Sequence, residues 1–534
     1  MTATVAFLER RSLIIAIALA LLASARIVAT YTVFNHTFDE PIHIACGMEW
    51  LDKGTYTCEP QHPPLARVAA ALGPYLSGIR SQGIATTDLY TQPREGVAIL
   101  YSGHHYDRTL ALARLGILPF FWIACAVVYA WAARYFSKTL AAIAVFLFSF
   151  TPAVLAHAGL ATTDMPLTAM LGAAFFTGLV WVERPTAQRA AAFGVSSGLA
   201  ILSKFTTLAF LPAAALVAFV WYWAAGGTRI GRALRARAAT LLLAVGLAVM
   251  VVWAGYRFSF GPVDFTPLHL PAPALYAGIE NVIQHNDRGH WSYLLGERSP
   301  LGFWYFYPVA LLFKTPLALL GLTVFGAVLA FRKSAGPLWV PLCFAAAILQ
   351  VAMLGHINIG IRHVLPMYMG MSILAAAAVL QLLEVAQRRR AAGIAAAVLL
   401  LWLAASSLAS HPDYIAYFNE LAGSHPEKIL VDSDLDWGQD IKRAAARLHQ
   451  LGVKEVMFPQ FIVADLEKEH GFPRLNSNFS FAEQPDGYFL AGATFWKAFH
   501  FGLPADQELW MDRVEPSERI GRGMFLWYRA PEKR

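Results

Sequence analysis

Long apolar runs alternate with short polar breaks along this chain. A membrane-crossing helix needs about 20 mainly apolar residues. By that measure the sequence predicts about eleven spans, over residues 12–33, 110–132, 138–157, 165–182, 188–203, 206–224, 236–254, 304–331, 337–355, 363–383 and 391–410. The long 304–331 run and the 66–79 stretch leave room for one or two more. The expected class is therefore a polytopic α-helical membrane protein of about 11–13 transmembrane helices. The breaks sort by charge. Arg10 and Arg11, Arg134 and Lys138, Arg184 and Arg189, the group Arg229, Arg232, Arg235 and Arg237, Arg332 and Lys333, and Arg388, Arg389 and Arg390 all share one side if the spans alternate. Basic loops mark the cytoplasmic side. The opposite side receives the 34–109 loop, the turns at 158–164, at Lys204 and at 356–362, the 255–303 loop and the tail from His411. The 12–33 run is longer than a signal-peptide core and shows no cleavage site, so it reads as a retained span.

Composition agrees with this layout. Of 534 residues, 57% are hydrophobic and 14% charged, where soluble domains carry about 25% charged. A net charge of +7 would suit nucleic acid, but its placement in loops of one side follows membrane topology and argues against a nucleic-acid partner. Beyond residue 410 the composition becomes that of a soluble protein. The expected organisation is a membrane domain over 1–410 and a small extracytoplasmic α/β domain over 411–534. There, 428–431 and 454–458 predict strands flanking a helix at 440–451, as in a βαβ unit, and 487–490 and 524–528 predict further strands. In the first outer loop, 66–76 predicts a short amphipathic helix at the interface. Cys46 and Cys58 share that loop and are able to pair in an oxidising compartment. Cys125 and Cys343 lie in apolar runs and read as packing residues.

The outer side also holds the chemically capable residues. Asp39 and Glu40 follow the first span. Carboxylates at a membrane surface are costly to desolvate, and one of them is placed to act as a general base, although a solvated turn or helix cap is the plainer reading. His62, held by Pro63 and Pro64, and Arg67 suit a phosphate or an acceptor, or simply a stiff loop. Asp164 opens a span and reads as a helix cap that still faces the outer cavity. Lys204 stands at an outer helix end, where a cation calls for an anionic partner such as a lipid phosphate, or snorkels to headgroups. Arg362 offers a planar fork for phosphate. His356 and His363 flank it without any zinc-binding spacing. The 284–291 loop, rich in His, Asn and Trp, suits a sugar. The acidic 431–440 segment fails the calcium-loop pattern and reads as a strand end entering a helix N-terminus.

Together these motifs resemble the GT-C glycosyltransferases, with protein O-mannosyltransferases and aminoarabinose lipid A transferases as the nearest groups. The resemblance rests on Asp39-Glu40, His62-Pro63-Pro64-Leu65, the 157–166 segment with Thr162-Thr163-Asp164-Met165-Pro166, and Gly198-Leu199-Ala200-Ile201-Leu202-Ser203-Lys204, and it covers roughly 12–410. It implies the GT-C fold and transfer of a hexosyl or pentosyl group from a polyprenyl-phosphate donor to a lipid, protein or glycan acceptor. The reaction would run outside the cytoplasmic membrane of a bacterium by inverting single displacement. It implies Asp39 and Glu40 as catalytic carboxylates, Lys204, Arg362 and His62 on the donor phosphate, and Asp164, Arg67 and His363 as auxiliary or acceptor residues. His62 stands where aminoarabinose transferases show Lys, which sets this chain apart from their acceptor. Some superfamily members use a divalent metal, for which no ligand set is evident here. The alternative is a transporter or flippase of a lipid-linked molecule. It would favour ionisable groups near the bilayer midplane, and few are present.

Overall fold

In the computed structural model, residues 3–86, 91–224, 230–264, 266–499 and 508–531 are described. Each of the eleven apolar runs is helical. Among the described residues, eight helices are long and apolar enough to cross a membrane, or up to ten if each bent pair is one span. The Ala187–Ser203 helix has 17 residues and falls just short of that length. Helix faces turned outward are apolar, with Leu216 60% and Leu242 73% exposed. Such faces are stable in lipid and not in water. The protein is a multi-pass membrane protein.

Two runs expected as single spans are broken. Lys138–Ser149 and Pro152–Ala158 meet at 69°, and Phe306–Lys314 and Leu317–Ala330 at 119°. Pro152 and Pro316 stand at the breaks. A proline has no N–H for the preceding turn and its ring crowds that turn, so the helix cannot run through. The 66–79 stretch adds no span, because the Pro64–Leu76 helix has only 13 residues.

Charged helix ends gather on one side. Arg134 and Arg189 both reach Glu183, Arg237 Nη2 donates to the Val182 carbonyl at 2.6 Å, and Thr139 N donates to Glu9 at 2.8 Å. Of the other basic residues assigned to this side, Arg229 lies outside the described residues, as do the side chains of Arg232, Arg235 and Lys333.

On the opposite side, the described residues of the 34–109 loop form several short helices. The Glu40–Met48 helix packs on Pro64–Leu76 so closely that a Cβ at Gly47 would lie 2.0 Å from the Arg67 carbonyl oxygen. Cys46 and Cys58 are disulfide-bonded, with Cα atoms 5.2 Å apart. Glu49 accepts the Thr57 and Cys58 amides at 3.0 and 2.8 Å, which ties down the same segment. The 255–303 loop carries two hairpins, β1 (Phe260–Val263) with β2 (Thr266–Pro271) and β3 (Ser292–Leu294) with β4 (Glu297–Ser299).

The tail forms a five-stranded mixed sheet from β5 (Glu455–Met457), β6 (Arg474–Asn476), β7 (Gly487–Gly492), β8 (Glu518–Ile520) and β9 (Met524–Arg529), in the order β6-β5-β7-β9-β8. The Ile441–Gln450 helix buries Ile441, Ala444 and Leu448 on one face, and Trp496, Trp510 and Trp527 pack together in a second core. Residues 428–431 are not a strand, so the βαβ unit is missing its first member. Their backbone groups go elsewhere: Ile429 N and Leu430 N both donate to the Pro426 carbonyl, and the Ile429 carbonyl accepts Leu295 N at 2.9 Å.

Candidate active site

Asp39 sits where the irregular 35–38 segment turns into the Glu40–Met48 helix. Its carboxylate does not cap that helix. Instead Oδ2 accepts a hydrogen bond from Arg362 Nη1 at 2.8 Å. Arg362 belongs to the short turn Ile361–Val364, and the same Nη1 lies 3.8 Å from Asp164 Oδ2. Asp164 is the first residue of the Asp164–Glu183 helix rather than its cap. Its Oδ1 accepts from Lys204 Nζ at 2.7 Å, and Lys204 stands at the C-terminal end of Ala187–Ser203. Three helix ends and one turn thus deliver a continuous row of alternating charge: Asp39, Arg362, Asp164, Lys204. Asp164, Lys204 and Arg362 are at most 5% exposed, and Asp39 keeps a partly open carboxylate.

Several polar atoms in this group are buried without a hydrogen-bond partner: Arg362 Nε, Asp164 Oδ2, His62 Nδ1 and His157 Nδ1. Buried polar groups are nearly always paired, so such a cluster marks a place suited to a polar ligand. The imidazoles around it are held neutral. Burial pushes His62 down to about 3, with the Lys204 ammonium adding to the effect. His363 also falls well below its ordinary value through burial, Lys204 and Arg362. Burial opposes the charge on Arg362, but the Asp39 and Asp164 carboxylates outweigh it and keep it fully cationic.

Two expected site residues lie in other groups. Glu40 is fully buried and takes a two-pronged ion pair from Arg114, with Nε and Nη2 each at 2.8 Å. It also accepts the Thr37 and Ala161 amides at 2.8 and 2.9 Å. With its oxygens so occupied, it ties Asp39's loop to the Tyr106–Leu115 helix and has none left for a substrate. Arg67 is likewise consumed. It pairs with Glu59 and donates to the Glu59 carbonyl at 2.6 Å, Tyr56 Oη at 3.1 Å and His43 Nδ1 at 3.2 Å.

The structure adds residues that the sequence reading left aside. The 432–441 segment of the tail is wedged between the 34–109 loop and the 356–363 turn. Ser433 Oγ donates to the Ile359 carbonyl, Asp434 Oδ1 accepts Ile361 N at 3.0 Å, and the Trp437 ring lies 4.1 Å from the Arg362 guanidinium carbon. The signal was present as Asp436-Trp437-Gly438-Gln439, but a helix start explained it equally well. The 284–291 stretch, expected as a loop, is the last turn of the Pro273–Arg288 helix and the residues after it, and it joins the same rim: His285 bridges Gln61 at 3.0 Å and His290 at 3.1 Å. His356 stays outside, bonded to Asn286. Among the described residues, no group of three or more His, Cys, Asp or Glu is arranged to hold a metal ion.

Residues 113–256 match the family model described as dolichyl-phosphate-mannose-protein mannosyltransferase. A search of curated proteins finds no match. Among solved structures, the chain is similar to ArnT from Cupriavidus metallidurans bound to undecaprenyl phosphate, with a TM-score of 0.51 at 13% identity over 96% of this chain and 97% of that one. The apo state of the same protein gives 0.50 at 13% identity with the same coverage. The Archaeoglobus fulgidus oligosaccharyltransferase tethered with an acceptor peptide gives 0.45 at 16% identity, over 90% of this chain and 62% of that one. The ArnT likeness, end to end, shows that the chain has the GT-C membrane fold, as the sequence motifs suggested.

Proposed function

We propose that this protein is a glycosyltransferase that moves a sugar from a polyprenyl-phosphate carrier to an acceptor on the extracytoplasmic face of a bacterial cytoplasmic membrane. The observation that carries the reading is the charge row Asp39–Arg362–Asp164–Lys204, built from residues up to 323 positions apart and surrounded by unpartnered polar atoms. The match to a mannosyltransferase family model and the likeness to a protein bound to undecaprenyl phosphate support it.

In this reading the donor's phosphate enters between Lys204 and Arg362, and His62 and His363 line its site as neutral rings. Two cations near a departing phosphodiester oxygen stabilise the charge that develops as the sugar–oxygen bond breaks. The acceptor hydroxyl or amine attacks the anomeric carbon from the opposite face. Asp39 takes its proton, and the polyprenyl phosphate leaves with the bonding electron pair. Asp39 is paired with Arg362 before substrate binds. A phosphate competing for that guanidinium frees the carboxylate at the moment it is needed as a base. Asp164 keeps Lys204 extended toward the site, and Glu40 and Arg67 hold the loop that carries Asp39.

The test is transfer from a radiolabelled polyprenyl-phosphate sugar by the full chain in lipid nanodiscs, with candidate lipid, peptide and glycan acceptors. Asp39→Asn is expected to lower transfer by about 100-fold or more, the usual worth of a positioned base, and Lys204→Met to weaken donor binding. Transfer at the original rate by Asp39→Asn would overturn the assignment. Lipid movement across the bilayer with no transfer would indicate a transporter instead.

A further inference from the structure

The tail reaches the site through its Asp432–Ile441 segment. Its turn is fixed from within. Gly438 takes φ +83, its amide donates to Asp436 Oδ1 at 3.1 Å, and Gln439 accepts Trp437 N at 2.7 Å while donating to the Leu435 carbonyl at 3.0 Å. This places a tryptophan that is 1% exposed at a junction between the two membrane-domain elements of the site. On one side its carbonyl accepts Phe38 N at 3.1 Å, the residue before Asp39. Asn35 extends the same seam, donating to the Gly438 carbonyl at 2.6 Å and accepting Ile441 N at 2.8 Å. On the other side the ring covers the Arg362 guanidinium.

We propose that Trp437 is a positioning residue through which the C-terminal domain completes the reaction centre. Its ring fixes the plane of Arg362, and its carbonyl fixes the register of the Asp39 loop against that plane. This rests on the reading of Arg362 as a ligand of the donor phosphate. An arginine has several rotatable bonds, and an indole face supplies a surface that holds a guanidinium flat while leaving its edge free for oxygen ligands. The edge here meets Asp39 and Asp164 and retains an unpartnered Nε. Without the ring, Arg362 has more orientations to lose when phosphate binds.

The experiment is a double-mutant cycle on the detergent-solubilised full chain, with undecaprenyl phosphate as the probe and its dissociation constant as the readout. Trp437→Leu is expected to weaken binding roughly 3- to 30-fold, the range of a desolvated cation–π contact. Trp437→Phe, which keeps an aromatic face, is expected to stay within about 3-fold. In an Arg362→Gln background, Trp437→Leu is expected to cost nothing further, since the partner it acts through is gone. The same loss in both backgrounds would mean that Trp437 serves only the fold, and would overturn the proposal. Should Trp437→Leu not fold, the cycle is closed with Trp437→Phe, whose smaller effect must also vanish beside Arg362→Gln. If Arg362→Gln itself binds as the original chain does, the phosphate role of Arg362 fails, a result distinguishable from a failure of the Trp437 coupling.

Discussion

Asp39 and Glu40 are neighbours with the same functional group, and their partners give them opposite roles. Glu40 is sealed against Arg114 and two backbone amides, while Asp39 keeps exposure and shares a guanidinium that a substrate can claim. Removing one member of a buried pair strands the other charge in a low-dielectric site and costs about 3–5 kcal/mol. Glu40→Gln is therefore expected to lower the thermal unfolding midpoint sharply, with the affinity of the surviving folded protein for undecaprenyl phosphate within about 3-fold of the original. Asp39→Asn is expected to lower the midpoint less than Glu40→Gln, because the Asp39 carboxylate is partly exposed and the buried Arg362 keeps Asp164 beside it. A Glu40→Gln protein that melts normally yet transfers no sugar would reverse the two roles. Sequence could not separate these carboxylates. The deciding partner, Arg114, lies 74 positions away inside an apolar run, where it looked like part of a span.

At the scale of elements, the helices of the membrane domain were legible because lipid imposes a long apolar run on every crossing segment. The breaks at Pro152 and Pro316 were marked in the sequence by the prolines themselves, yet an apolar run continues through each and masked them. The 428–431 segment misled for a different reason. Leu430 and Val431 are buried and Ile429 half-buried, but the segment is held by the Pro426 turn and by Leu295 rather than by a sheet. The 356–363 turn shows what the sequence lacked, namely the element it packs against. Gly360 has φ +132, and a Cβ there would stand 2.2 Å from Ser433 Oγ. Gly360→Ala is expected to loosen the contact between turn and tail, with a loss of about 1–3 kcal/mol from strain and overlap together. Adding Ser433→Ala removes the overlapping oxygen and leaves only the backbone strain, so part of the midpoint should return. Hydrogen exchange at Ile361, whose amide is bound by Asp434, reports the same loosening. An alanine at 360 without effect on either measure would mean that the two elements are not tightly docked.

At the scale of the molecule, titratable acids of the tail lie where it meets the membrane domain: Asp434 accepts Ile361 N, and the half-buried Asp432 feels the charge of Arg362. Asp432 is half-buried, and the desolvation this brings pushes it up to about 7. Arg362 pulls against that shift, while Asp39 and Asp434 add to it. Within the tail itself, Asp436, bonded to Gly438 and Thr494, rises to about 7, and Asp440, paired with Arg443, to about 6, again mainly through burial. The docked state therefore binds protons that the unfolded chain has already released between its ordinary carboxylate range near 4 and about 7. Where the folded state holds more protons, stability falls as pH rises. The contribution of Asp432 should thus be lost progressively from about pH 4 to 7 and stay constant above. Other groups act in the opposite sense on acidification, since burial holds His36 down to about 4 and it must be protonated on unfolding. The clean measurement is a difference between two proteins. Asp432→Asn keeps the shape and removes the titration, so its unfolding midpoint is expected to gain on that of the original chain as pH is raised from 5 to 7.5, and then to run parallel. Thermal unfolding in detergent at several pH values gives both curves. A gap that is constant across this range would show that Asp432 stays ionised, with Arg362 paying back the burial cost in full, and that the tail–membrane junction carries no pH dependence of its own at this residue.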